Sequence, residues 1–89
     1  MKVLYTKTFR KDLERLEHDI QLKKRLLDLI EQMKLTDSLT QFENVRKIQG
    51  YEGYYRIRIG DYRLGFKLRE NVIEMLRFLH RKDIYRRFP

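Results

Sequence analysis

From Gly53 to Phe66 the chain reads GYYRIRIGDYRLGF, and no other stretch limits the fold as much. Tyr55, Ile57 and Ile59 alternate with Arg56 and Arg58, a period of two that a pleated strand turns into one apolar face and one cationic face. Gly60-Asp61 interrupts the alternation, and Tyr62, Arg63, Leu64 and Phe66 resume it. A Gly-Asp pair between two such runs reverses the favoured hairpin dipeptides and predicts that the runs fold back on each other. Arg56, Arg58 and Arg63 then gather on one sheet surface.

The rest of the chain has to cover the other surface. With 89 residues it supports one core, hence one domain over residues 1–89, because so short a chain buries only about 60–65% of its unfolded surface. Phe9, Leu13 and Leu16 fall at helical spacing behind Thr6 or Thr8 as a cap. After His18-Asp19, with Asp19 as a second cap, Leu22, Leu26, Leu29, Ile30 and Met33 repeat the pattern over about four turns. Met1 to Thr6 reads as one short strand, and Leu64 to Leu68 and Val72 to Leu79 read as two strands joined by a turn at Glu70-Asn71. The prediction is an α+β fold, a helical hairpin on one face of a mostly antiparallel four-stranded sheet in the order β-α-α-β-β-β, with the opposite face basic. Residues 35–53 are the least legible; Val45 to Ile48 is a possible strand start, and Asp83 to Phe88 either closes a last helical turn or hangs loose.

Charge locates the function in the second half. Residues 45–89 hold 12 Lys and Arg against 5 Asp and Glu, and nine of the twelve are Arg, whereas residues 1–44 are nearly balanced at 9 against 8. Arginine's planar fork matches phosphate and stacks on bases, so a polyanionic partner is expected; a merely solvated basic face is the alternative. No apolar run approaches the ~20 residues of a membrane span, and the N-terminus lacks the apolar block of a signal peptide. With no cysteine in the chain, disulfides and thiolate chemistry are excluded, and a cytoplasmic location is expected.

Neither a metal-ligand pattern nor a glycine-rich phosphate loop is present, the only histidines are His18 and His80, and no Ser-His-Asp set can be argued. No cofactor is implied. What remains is Arg56, Arg58, Arg63 and Arg81 with Tyr85 close behind. Arginines aimed at a phosphate stabilise charge developing on it, and a tyrosine stacks on a base or moves a proton. RNA brings its own nucleophile, the 2′-hydroxyl. For each arginine alone the bland reading is a solvated strand face, for Tyr85 a tail anchor, and for His80 a hydrogen-bonded structural residue.

The element order, together with YYRIRIGDYRLGF and the closing FLHRKDIY, resembles the RelE/ParE superfamily of toxins from toxin–antitoxin pairs over nearly the whole chain. The GDYR and HRKDIY pieces are its specific part. The RelE branch implies a ribosome-dependent mRNA interferase, an endoribonuclease that needs no metal, acts on mRNA in the ribosomal A site and is neutralised by a cognate antitoxin. It also implies site roles for Arg56 and Arg58 on the second strand, Arg63 on the third, Arg81 after the fourth, and Tyr85. The best-known RelE pattern has lysines at the two second-strand positions. Arginine stays protonated there and is a poor general base, which leaves proton transfer to His80 or Tyr85. Two other readings stay open: a ParE-like toxin that inhibits DNA gyrase without cutting RNA, and a non-catalytic RNA-binding domain.

Overall fold

The alternating run forms two neighbouring strands of a five-stranded sheet. In the computed structural model, which describes residues 1–16 and 18–89, the elements are β1 (Lys2–Tyr5), α1 (Lys7–Glu14), α2 (Ile20–Leu35), β2 (Val45–Lys47), β3 (Tyr54–Ile59), β4 (Tyr62–Arg69), β5 (Val72–His80) and α3 (Arg81–Arg87). The sheet order is β1-β5-β4-β3-β2, parallel only between β1 and β5. The α+β class and the mostly antiparallel sheet agree with expectation, but the sheet has five strands rather than four. The additional one, β2, is a three-residue edge strand with a single apolar residue, too short for periodicity to reveal. The C-terminal residues form α3 rather than a loose tail.

Both expected helix caps are present. Thr6 Oγ1 accepts the Phe9 N–H at 3.1 Å, and Asp19 Oδ1 accepts the Leu22 N–H at 3.1 Å. The two helices bury Phe9, Leu22, Leu26, Ile30 and Met33 against Ile57, Ile59, Leu64, Phe66, Ile73, Met75 and Phe78 of the sheet. Phase is kept along β5 by a bulge: Phe66 pairs with Met75 but Gly65 with Arg77, so Leu76 is the extra residue. Ile73, Met75 and Phe78 can therefore all face the main core, while Leu76 and Leu79 join a second cluster.

That second cluster takes up part of the opposite face, which the sequence predicted to be basic. Ile84 and Phe88, in and just after α3, pack with Leu79, Leu76, Tyr54 and Ile48, so part of this face is apolar and covered by the C-terminal helix. Gly65 makes the contact possible, since a Cβ there would lie 2.9 Å from the Phe88 ring. The basic part is what α3 leaves open.

Among the described residues, one ion pair ties α1 to the sheet. β1 pairs with β5 only as far as Met75, and beyond it the β5 edge is taken up by α1. The Asp12 carboxylate, 3% exposed, accepts the Phe78 backbone N–H at 3.0 Å and two guanidinium hydrogen bonds from Arg77, at 2.8 and 3.1 Å. Such a carboxylate is fully satisfied, which is the condition for a buried charge to be tolerated. Among the described residues no helix is long and apolar enough to cross a membrane.

Candidate functional site

The strand register places four arginines in two directly opposed pairs. Arg46 of β2 stands opposite Arg56 of β3, and Arg58 of β3 stands opposite Arg63 of β4. Cross-strand neighbours lie about 4.5–5.5 Å apart at Cβ, and like charges so placed oppose folding. The turn that closes the second pair is the predicted one: only Gly60 and Asp61 separate the Ile59–Tyr62 pair, and Gly60 has φ 59°, as the first position of a type II′ hairpin requires.

The four guanidinium groups line a cavity of about 190 Å³ together with Asn44 and Tyr85, and among the described residues no carboxylate lines it. Tyr85 comes from α3, whose buried Ile84 and following Phe88 seat the helix on the sheet while the tyrosine ring stays 59% exposed. Arg56 lies over that ring, its guanidinium carbon 4.7 Å from the centroid. This cation–π contact fixes the arginine without engaging its N–H groups in an ion pair. Arg63 is held differently: both hydrogens of Nη1 go to the Gly60 and Tyr62 carbonyls, each at 3.0 Å, and three guanidinium hydrogens remain on Nη2 and Nε. Asn44, in the left-handed region at φ 63°, turns the chain into β2, and its carbonyl accepts the Arg58 N–H at 3.3 Å.

Of the residues singled out from sequence, the cavity brings together Arg56, Arg58, Arg63 and Tyr85. Arg81 and His80 are not on its wall. Arg81 is the exposed first residue of α3, its backbone N–H bonded to the Asp61 carbonyl at 2.8 Å. It lies two residues beyond Leu79, the partner of Arg63, and that bond holds it beside the β3–β4 turn. His80 caps α3: its Nδ1 accepts the Lys82 N–H at 3.1 Å, and its ring stands edge-on to Tyr62 at 5.4 Å between centroids.

Sequence reasoning missed Arg46 and Asn44. The signal was present but short: Val45-Arg46-Lys47 has the apolar-then-basic order of Ile57-Arg58, over too few residues to phase.

Chemically, four guanidinium groups without a neutralising carboxylate form a receptor for a group with more than one negative charge, and phosphate geometry suits their planar donors. Among the described residues no group of three or more His, Cys, Asp or Glu side chains is placed to hold a metal ion.

The model of the family described as the ParE toxin of type II toxin-antitoxin systems, parDE, matches residues 3–85. The chain is 44% identical over 90 residues to Toxin RelE3 of Methanocaldococcus jannaschii, with 100% of both chains covered. A chain of a RelB-RelE antitoxin-toxin complex from Methanococcus jannaschii superposes with a TM-score of 0.82 at 41% identity, covering 97% of this chain and 99% of that one. An archaeal RelE-RelB complex from Pyrococcus horikoshii OT3 gives a TM-score of 0.72 at 25% identity, covering 90% and 93%. With a family model spanning nearly its whole length and a full-length relative of this identity, the chain belongs to the RelE/ParE superfamily of type II toxin–antitoxin toxins and is RelE-like.

Proposed function

We propose that this toxin is a ribosome-dependent mRNA interferase, an endoribonuclease in which the RNA's own 2′-hydroxyl attacks the neighbouring phosphate. The observation that carries the reading is the carboxylate-free cavity of Arg46, Arg56, Arg58 and Arg63 with the Tyr85 phenol on its wall. Attack forms the O2′–P bond and breaks the P–O5′ bond. The products are a 2′,3′-cyclic phosphate and a free 5′-hydroxyl. The arginines neutralise the extra negative charge of the phosphorane, a preorganised electrostatic contribution whose loss, donor by donor, typically lowers the rate about 10²–10³-fold. Exposed Arg81, beside the β3–β4 turn, adds to the same charge.

A proton must leave the 2′-hydroxyl and another must reach the 5′-oxygen. Arginine stays protonated and does not accept. Tyr85 lines the cavity, whereas the Nδ1 lone pair of His80 already holds the Lys82 N–H, so Tyr85 is the favoured proton-moving group. The similar structure from Methanococcus jannaschii is a RelB-RelE antitoxin-toxin complex and that from Pyrococcus horikoshii a RelE-RelB complex, which supports a cognate antitoxin as this chain's partner too.

A second reading, a ParE-like inhibitor of DNA gyrase, has the family model's ParE description in its favour. Two assays separate them. Mapping of mRNA ends on programmed ribosomes should show a toxin-dependent cut, while gyrase supercoiling at the same toxin concentration should be unaffected; inhibited supercoiling with intact mRNA would establish the second reading instead.

A further inference from the structure

A second cleft meets the arginine cavity at the sheet edge. β2 pairs with β3 as far as Val45 opposite Ile57, and the chain leaves the edge just beyond, after the Asn44 carbonyl takes the Arg58 N–H. There Asn44 and Arg58 line both the arginine cavity on one side and a cleft of about 450 Å³ between α2 and β3 on the other. The two cavities differ in chemistry. The first holds four arginines and no carboxylate, whereas the second balances Arg25 and Arg58 with Asp28 and Glu43 and adds the carboxamides of Gln32, Gln41 and Asn44.

Resting on the RNA-cleaving reading above, we propose that this cleft receives the base of a nucleotide flanking the scissile phosphate and favours bases that carry an amino group. A phosphate belongs in the cationic cavity. A neutral, hydrogen-bonding base belongs in a charge-balanced one, and a nucleotide consists of these two parts within one short covalent reach. Arg25, Asp28 and Gln32 lie at i, i+3 and i+7 on one face of α2, so their side chains stack along the same wall. Arg25 reaches the β3–β4 turn, its Nη1 3.2 Å from where a Gly60 Cβ would stand, and closes that end of the cleft. Leu29 and Phe42, both half-buried in the main core, supply an apolar floor for the face of a base. RNA sequence is read by splaying single-stranded bases into such sites and bonding their edges. The Asp28 carboxylate only accepts, so it suits the amino groups of adenine, guanine and cytosine and repels the carbonyl-rich edge of uracil.

The test uses the intact toxin and ribosomes programmed with mRNAs that differ only in the base on either side of the cut. The wild type should cut amino-bearing bases faster than uracil at one of these two positions. A paired contact is worth about 1–3 kcal/mol of discrimination, so Asp28→Asn, whose amide both donates and accepts, should shrink that preference about 5- to 150-fold. Gln32→Ala should shift the preference at the same position. Arg63→Ala should lower all rates together and leave the ratios unchanged. Preference ratios unchanged in both Asp28→Asn and Gln32→Ala, with a wild type that cuts, would overturn this proposal alone. A wild type that cuts no RNA would overturn the function proposed above and the cleft's role with it.

Discussion

Arg58 and Arg63 stand directly opposite each other across β3 and β4, two positive charges on one face of a cavity that, among the described residues, no carboxylate lines. A like-charged pair at this spacing works against folding, typically by about 0.2–1 kcal/mol. Such a pair makes sense when a polyanion completes it. Arg58→Ala should therefore leave thermal stability unchanged or slightly raised while lowering RNA cleavage about 10²–10³-fold, checked by melting and by mRNA cleavage on one preparation. A large loss of stability would mean that Arg58 holds the fold.

Tyr85 and His80 make separable predictions. Tyr85→Phe keeps the ring under Arg56 and removes only the hydroxyl, and should lower cleavage by about 10²–10⁴. His80→Asn retains a side-chain acceptor for the Lys82 N–H and should stay active, whereas His80→Ala loses a helix cap worth about 1 kcal/mol. Single-turnover rates decide the matter. If Tyr85→Phe is active and His80→Asn is not, the proton moves through His80.

Asp12 is the main electrostatic anchor of α1. Its carboxylate accepts from Arg77 twice and from the Phe78 backbone, so Asp12→Ala strands a guanidinium that is 19% exposed and a buried N–H. Breaking a buried pair from one side typically costs about 3–5 kcal/mol. Denaturant unfolding should show a loss of that size, and a change under about 1 kcal/mol would mean that water replaces the carboxylate freely.

Binding should be strongly salt dependent. If about four phosphates are neutralised, the log-log slope for single-stranded RNA is about −3, so affinity falls roughly fifty-fold between 50 and 200 mM salt. A flat response in a titration against ribosome–mRNA complexes would point to a partner recognised without phosphate contacts.

What could be read in advance follows from range. The helices, their caps at Thr6 and Asp19, and the hairpin at Gly60-Asp61 are encoded within a few residues of themselves, and all appear as expected. Arg56, Arg58 and Arg63 were legible because alternation commits a strand's side chains to a face before any partner is known. Asp12 was not, because its partners Arg77 and Phe78 are 65 and 66 residues away and nothing local marks the pairing. The bulge at Leu76 was hidden for the same reason: it shows only against the register of β4. Arg46 depends on β2, which exists because β3 offers it an edge. Tyr85 reaches the cavity only because Gly65 lets Phe88 lie flat on the sheet, a contact across 23 residues.

In the proposed reaction the substrate supplies the nucleophile and the cavity supplies positive charge. The most direct measurement is cleavage of an mRNA carrying a single 2′-deoxynucleotide immediately before the cut, on programmed ribosomes, with product ends identified by mass. The deoxy substrate should not be cut at that position, and the all-ribose control should yield a 2′,3′-cyclic phosphate and a 5′-hydroxyl. Cleavage of the deoxy substrate at a similar rate, or a product bearing a 5′-phosphate, would make water the nucleophile and contradict that reaction.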